Sequence, residues 1–576
     1  MCASIKLEKV HLLSSFSSAD SPASMPSSTD KFQSRTSHGS KQICMISGLR
    51  CYLQKNKGLI RQLLVGLTVS WTALQNGLYL GWPSPIMKSL SGGGGEGPLE
   101  PFERRWSENE ISWMVAALDL GNIFSPLPCS RLVDRWGRKP LLILMAPLSI
   151  LSWTLVYLGT SVTAVCVARV LQGFQCGIAS TVVPLYLSEI SEPQVRGAIN
   201  TIPAVAVNIG ILFCYTAGPY VSYKTLTTLC IILSIPYAVT VYHIPESPYF
   251  HLMNKNVFKA RRFLEWTRTE FRDDELTKMR DNVNSEMEAS AHRPTSLARH
   301  DFIALFVVLF MYIAPTFTFY WVIPEYAART FSTSAFTSIF NATSAYNATS
   351  TYNAASAYNA ASAFDPTSTF NVSSTFNPTL TSNFSSPSIT STPTLTPDQY
   401  TILLGVFTLA GTLPSTYLID RLGRRQITLL SAMLTAVFAY LTSGYLFLAE
   451  RHLLDSDLFS WCTCIFTSGL LCSASLGLGQ MYCILQSEYF PSNSRALAGA
   501  TVAAIGSVFS VVADKIYLSI ADSIGMYFNF CISGSVSLLV FVFAWFFMIE
   551  TRGRTFAEIQ ALIRDRWAVA NKYDVL

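Results

Sequence analysis

Two matched sets of charged residues carry most of the chemistry this sequence offers. Asp134-Arg135-Trp136-Gly137-Arg138-Lys139 returns far downstream as Asp420-Arg421-Leu422-Gly423-Arg424-Arg425. Glu189 precedes Arg196 by seven residues, and Glu488 precedes Arg495 by the same seven. Glu246 and Glu550 complete the series, each just past an apolar run. A carboxylate at the edge of an apolar phase is costly when unpaired, and the arginine fork offers it two parallel hydrogen bonds. The chemistry is therefore charge pairing rather than bond-making. Glu189, Glu246, Glu488 and Glu550 have Arg138, Arg196, Arg424, Arg425 and Arg495 as prospective partners, with Asp134, Arg135, Lys139 and Asp420 beside them. A buried pair roughly breaks even on stability, which suits a contact that forms and releases. On this reading the pairs tie two halves of the molecule together and break when the halves part.

A second set lies inside apolar runs. Asp119, Asp514 and Lys515 would each cost at least about 2.5–3.5 kcal/mol at mid-membrane and are functional by default. Either Lys515 neutralises Asp514 or Asp119, or Asp119 carries a proton through a cycle. Asn208 and Gln480, with Tyr312, Thr316, Tyr320, Trp321 and Tyr482, remain to line a cavity. The amides read a polar ligand or hold two helices together, and the aromatics line the cavity or pack at an interface. No metal-ligand spacing and no nucleophile–base pairing stands out. Gly92–Gly95 lacks the Gly-Lys-Ser/Thr of a phosphate loop. We expect a non-enzyme without metal or cofactor.

The elements that must hold these residues are membrane helices. Of 576 residues, half are apolar and only 13% charged, against about 25% charged in a soluble chain. Mean hydropathy is +0.33. About 20 apolar residues cross about 30 Å of hydrocarbon, and such runs recur at 59–80, 111–132, 140–159, 162–188, 197–221 and 224–244. Six more sit at 301–324, 399–419, 426–448, 458–486, 496–519 and 525–549. The 13 cysteines form no disulfide framework, and Cys462, Cys464, Cys472, Cys483 and Cys531 read as small hydrophobes in apolar runs. Net charge is +5 with no nucleic-acid footprint. Arginine falls on alternate loops (Arg131, Arg135 and Arg138; Arg196; Arg261, Arg262 and Arg268; Arg421, Arg424 and Arg425; Arg495), which predicts both termini in the cytoplasm.

The expected fold is an all-α membrane protein of twelve transmembrane helices in two six-helix bundles. Its parts are a disordered cytoplasmic tail without a cleaved signal peptide (1–57), a first bundle (58–248), a cytoplasmic linker with short helices (249–300) and the seventh helix (301–331). The rest of the second bundle (398–551) and a cytoplasmic tail (552–576) follow. Between 332 and 397 runs a six-residue repeat, Asn341-Ala-Thr-Ser-Ala-Tyr346 and its decaying copies, whose composition cannot bury a core. A hexapeptide β-helix is the other reading. The topology puts this insertion outside, where Asn341, Asn347, Asn371 and Asn383 each begin a glycosylation triplet.

With these marks together the chain resembles the sugar-porter branch of the major facilitator superfamily, in its insect facilitated trehalose transporter-like group. Besides the duplicated motif, the likeness rests on Arg169-Val-Leu-Gln-Gly173, Pro184-Leu-Tyr-Leu-Ser-Glu189 with Arg196-Gly197, Pro245-Glu-Ser-Pro248 and Glu550-Thr-Arg-Gly-Arg554. Ser112-Trp113, Pro203, Asn208-Ile-Gly-Ile-Leu212 and Lys515 give it the insect flavour. The resemblance implies alternating access in a plasma membrane, with a sugar or related small polar solute as partner and no fixed oligomeric state. The family's amide-rich seventh-span segment reads here Phe310-Met-Tyr-Ile-Ala-Pro-Thr316, and its tenth-span Gly-Pro-Ile-Pro-Trp reads Gly479-Gln-Met-Tyr-Cys483. A transporter-derived nutrient sensor or surface receptor is the alternative those replacements raise. The missing carboxylate between Gln62 and Pro85 favours facilitated diffusion over proton coupling.

Overall fold

The computed structural model describes residues 56–91, 102, 104–192, 195–268, 271–291, 299–332, 397–451, 456–490, 492–554 and 558–563. Asn341, Asn347, Asn371 and Asn383, nearly all of 332–397 and most of both terminal tails lie outside them.

Among the described residues, ten helices are long and apolar enough to cross a membrane: Arg138–Leu158, Val162–Ile190, Arg196–Tyr220, Tyr223–Met253, Phe302–Glu325, Asp398–Leu422, Arg424–Glu450, Cys462–Tyr489, Ser494–Ser523 and Met526–Phe547. They serve as spans three to twelve. The first span is Lys57–Gly81, continued by Pro83–Ser91, and the second is Glu108–Phe124 followed by Pro126–Trp136. Gln62, Gln75 and Asn76 dilute the hydropathy of the first. Pro126 breaks the second, because proline has no N–H to give and its ring clashes with the preceding turn. Twelve spans result among the described residues.

The lipid face and the interior separate by sequence. Phe124, Leu158, Val239 and Phe546 are each at least 60% exposed, a liability in water but ordinary against hydrocarbon. The sixth span is a third buried over its apolar window, whereas the tenth is two-thirds buried, so the tenth lies inside the bundle. Serine caps set where helices begin. Ser107 and Glu110 form a reciprocal capping box at the second span, and Ser161 and Ser222 cap the fourth and sixth.

Glycine permits the closest helix contacts. A side chain at Gly121 would meet the backbone of Val170, and one at Gly173 the backbone of Leu118, so the second and fourth spans touch main chain to main chain. Gly77 and Gly210 do the same for the first and fifth, against Val207 and Leu74. Without a hydrophobic drive between helices in lipid, such small-residue contacts supply the packing.

Two spans expected to be continuous are broken. The seventh stops at Phe317, turns through Phe319 at φ 57°, and resumes as Val322–Glu325 and Ala327–Ser332. The tenth stops at Leu476 and resumes at Met481. Pro315 initiates the first break, while Gly477 and Gly479 allow the second. The linker after the sixth span folds as Pro248–Met253, Val257–Thr267 and Asp273–Ala291. It is seated rather than merely solvated: Ala260, Phe263 and Leu264 are buried, and Gln62 donates to the Thr267 carbonyl at 2.9 Å.

Replacing Gly121 or Gly173 by leucine forces these backbones apart at a cost of about 3 kcal/mol or more. The variants are expected to lose the monodisperse peak of the detergent-solubilised chain in size-exclusion chromatography, while Gly444→Leu, which meets nothing within 4 Å, keeps it.

Candidate transport site

The repeated charges form the same device twice. Gly137 and Gly423 sit at φ 95° and 98°, a left-handed turn that glycine adopts without strain. The turn points the first N–H groups of the third and ninth spans at a carboxylate. Glu246 accepts from the amides of Arg138 and Lys139 at 3.1 and 3.0 Å. Glu550 accepts from those of Arg424 and Arg425 at 3.0 and 3.1 Å. A helix N-terminus has unsatisfied donors and a partial positive charge, so an anion there is stabilised.

Glu189 and Glu488 take the guanidiniums. Arg138 Nη2 lies 2.8 Å from Glu189 Oε1, and Arg424 Nη2 lies 3.1 Å from Glu488 Oε1. The second oxygen of each acid accepts a hydroxyl, from Ser247 on Glu189 and from Thr551 on Glu488. Each lock joins the second-to-third turn, the fourth span and the end of the sixth, or their counterparts in the other half. The expectation that these pairs tie the two halves together is therefore corrected. Glu189, Arg138 and Glu246 stay within the first half, and Glu488, Arg424 and Glu550 within the second. Glu246 and Glu550 pair with backbone amides rather than arginine forks, because the glycine turn brings those amides nearer.

Contacts between the halves at this end use other members of the set. The Asp420 carboxylate packs on Gly197 at the start of the fifth span, where any side chain would collide with it. Asp420 is also paired with Arg424 at 3.1 Å. Arg196 lies within electrostatic reach of Glu488 and Arg495 in the second half. Arg495 donates to the Phe490 carbonyl through Nε and Nη2 at 3.2 and 3.1 Å. Lys139 and Arg425 donate to the carbonyls of Tyr242 and Trp545. Asp134 is within reach of Arg138 and Glu189, and Arg135 closes the last turn of its helix.

At mid-bundle the expected cavity residues converge in part. Asn208 Nδ2 donates to Thr412 Oγ1 at 2.7 Å, a bond between the fifth and eighth spans and so between the halves. Tyr320, from the seventh-span break, packs its ring on Gly479 in the tenth-span break and against Trp321 at 4.7 Å. Tyr312 and Tyr482 meet edge to face at 4.6 Å. Gln480 is 6% exposed, and its Oε1 is buried without a hydrogen-bond partner, an acceptor site that a solute hydroxyl could fill. Thr316 is turned back onto the Tyr312 carbonyl at 3.2 Å, so its hydroxyl serves the helix.

Toward the other end of the bundle the halves meet through buried charge. Arg169 Nη2 lies 3.7 Å from Glu325 Oε1, both almost fully buried. Asp119 and Asp514 adjoin this pair across the halves. Lys515 does not neutralise either acid as a close pair, since its ammonium sits 3.9 Å from the centroid of the Trp113 ring. Sequence reasoning missed Glu325 and Thr412, and took Arg169 only as part of a motif. Glu325 was legible as an acid at the very end of an apolar run. Nothing in the sequence marks Thr412, a hydroxyl among many in the eighth span.

Two six-span halves with paired charge locks and inter-half contacts at both ends define a secondary transporter of the major facilitator type. The chain belongs to the family described as "Sugar (and other) transporter", which matches residues 21–356 and 372–563. It is a multi-pass membrane protein of a transporter family, not an enzyme. Relatives include a protein named facilitated trehalose transporter Tret1 in Apis mellifera ligustica, 25% identical over 88% of this chain and 90% of that protein. One of the same name in Polypedilum vanderplanki is 26% identical over 88% of each. Among solved structures, the proton:xylose symporter XylE bound to 6-bromo-6-deoxy-D-glucose superposes with a TM-score of 0.64 at 16% identity, over 86% of this chain and 98% of that one. Inward-open XylE from E. coli gives 0.59 at the same identity, over 87% and 99%.

Arg138→Ala and Arg424→Ala each strand a buried carboxylate and are expected to cost about 3–5 kcal/mol. Glu246→Gln weakens only a helix cap and costs about 0.5–2 kcal/mol. Thermal unfolding in detergent should rank the arginine variants below the glutamine one, and equal losses would contradict the assignment of Glu246 as a cap.

Proposed function

We propose that the chain is a facilitator of the plasma membrane, with both termini in the cytoplasm, that carries a sugar (trehalose or a hexose) or a related small polar solute by alternating access. The motif end of the bundle is then the cytoplasmic gate, and the end holding Glu325 is the outer gate. The observation that carries this reading is the placement of inter-half contacts. Asp420 on Gly197 lies at one end, Arg169 with Glu325 at the other, and the bond Asn208–Thr412 between them. Two halves joined by polar contacts at separate levels can rock, and each contact can be replaced by water or solute as its end opens. Asn208, Tyr312, Tyr320, Gln480 and Tyr482 form the solute site in this proposal, with the amides reading hydroxyls and the rings packing on a sugar face. The relatives' printed names support trehalose as the first solute to test.

Uptake of labelled trehalose and of labelled glucose by transport-null cells expressing the chain tests the reading. Saturable uptake is expected, reduced about tenfold by Asn208→Ala, the equivalent of about 1.4 kcal/mol. Gly197→Val, which keeps Asp420 off the fifth span, is expected to abolish it with surface delivery retained. Full surface delivery without uptake of either sugar would overturn transport of these solutes in favour of a sensor or receptor.

A further inference from the structure

Four ionisable side chains from four spans meet in the outer half of the bundle, and their charges do not balance. Asp119 and Arg169 belong to the first half, Glu325 and Asp514 to the second. Arg169 is fully buried, Asp514 is 2% exposed and Glu325 4%. The guanidinium is shared: besides its ion pair with Glu325 at 3.7 Å, it donates to the carbonyls of Tyr79 and Met114 at 2.6 and 3.3 Å and to Gln172 Oε1 at 3.1 Å. Asp514 Oδ2 is buried with no hydrogen-bond partner. Asp119 and Asp514 come within hydrogen-bonding reach of each other, and two carboxyl groups can bond only when one carries a proton.

The neighbouring cations make up the difference only in part. Seven further titratable or charged groups face the cluster: Cys166 and Cys176 from the fourth span, Tyr215 from the fifth, Tyr312, Tyr326 and Arg329 from the seventh, and Lys515 from the eleventh. Lys515 is turned onto Trp113 while staying within electrostatic reach of Asp514, and Arg329 is engaged by Glu108 and Asp522. The thiols and phenols have no positive charge to give. Among the described residues no group of three carboxylate, histidine or cysteine side chains is placed to hold a metal ion. Buried Glu325 and Asp514 with half-buried Asp119, set against Arg169 and Lys515, leave at least one uncompensated negative charge, which a low-dielectric site does not tolerate.

We propose that Asp119, Arg169, Glu325 and Asp514 form a proton-binding site built jointly by the two halves, and that closing the outer gate takes up at least one proton there. The inference rests on the alternating-access reading above. When the outer ends part, Asp119 leaves with Arg169 as a neutral pair, while Glu325 and Asp514 lose their cation, meet water and release the proton. The closed gate thus binds more protons than the open one. By linkage it weakens as pH rises, by about tenfold per pH unit for each proton held.

The test reads the gate itself, with no solute present. Spin labels at Thr160→Cys and Ser523→Cys, exposed positions at the outer ends of the two halves, are placed in a full-length chain whose native cysteines are replaced. Distances are then measured by double electron–electron resonance between about pH 5 and about pH 9. The short-distance population should dominate at the acid end and fall with rising pH. In Glu325→Gln/Asp514→Asn it should persist across the range. A population independent of pH in the wild type, or an identical pH profile in the double variant, overturns the proposal. So does shortening that follows sodium in exchange for potassium at fixed pH. If the cysteine-replaced chain does not fold, hydrogen exchange of Val322–Glu325 in the native-cysteine chain replaces the distance. Wild type and double variant are compared at matched pH, so that the intrinsic exchange rate cancels. Greater wild-type exposure only at alkaline pH supports the site, and equal exposure throughout overturns it. Because neither readout needs a solute, failed trehalose uptake and a failed pH response are separate results.

Discussion

A charge that leaves water must be answered by another charge or by a donor, and the organisation of this molecule follows from how each such debt is met. At the motif end the answer to these carboxylates is local. Glu246 and Glu550 take helix N-termini, while Glu189 and Glu488 take a guanidinium and a hydroxyl each. Every acceptor is satisfied within its own half, so neither half needs the other in order to be folded there. That is the condition for two bodies that move as units. Had the same acids paired across the halves, opening the gate would have stranded buried charges at several kcal/mol apiece.

The contacts that cross at the motif end and at mid-bundle are of a weaker kind than the buried Arg169–Glu325 pair at the other end. Asp420 touches Gly197 while keeping its pair with Arg424, so separation costs it a helix-terminus interaction worth about 0.3–1 kcal/mol and not a salt bridge. Asn208 bonds Thr412 while also reaching the Ala204 carbonyl at 3.2 Å, so its amide keeps one partner when the halves part. Within each half, by contrast, glycine brings main chains into contact along the first and fifth, second and fourth, and eighth and tenth spans.

Much of this was legible in the sequence, and the parts that were not have physical causes. The twelve spans follow from hydropathy, and the halves follow from the duplicated motif, because both signals are one-dimensional. The partners of Glu246 and Glu550 were misjudged for the opposite reason. Residue type suggests an arginine fork, but the glycine turn at φ 95° and 98° presents backbone amides, which no side-chain alphabet reveals. The sequence offers Lys515 as the partner of Asp514 or of Asp119. Neighbours in a helix diverge by about 100° in direction, which carries Lys515 to Trp113 and leaves Asp514 facing inward. Glu325 escaped notice because it ends an apolar run, where an acid usually reaches water. The broken seventh span folds it back over the bundle instead.

Those breaks also explain why the middle of the molecule is built differently from its ends. An unbroken helix satisfies its own amides and carbonyls and offers a solute only side chains. Where the seventh and tenth spans unwind, at Thr318–Trp321 and Gly477–Gln480, the backbone comes within reach at the same level, and the Tyr320 ring fills the space above Gly479. Irregular backbone at membrane depth is tolerated where it is buried in protein or lines a cavity. Gln480 lies in one of these breaks with its Oε1 unanswered. In the proposed transport cycle, an acceptor held ready in that position is where a hydroxylated solute, rather than another part of the chain, would complete the bonding.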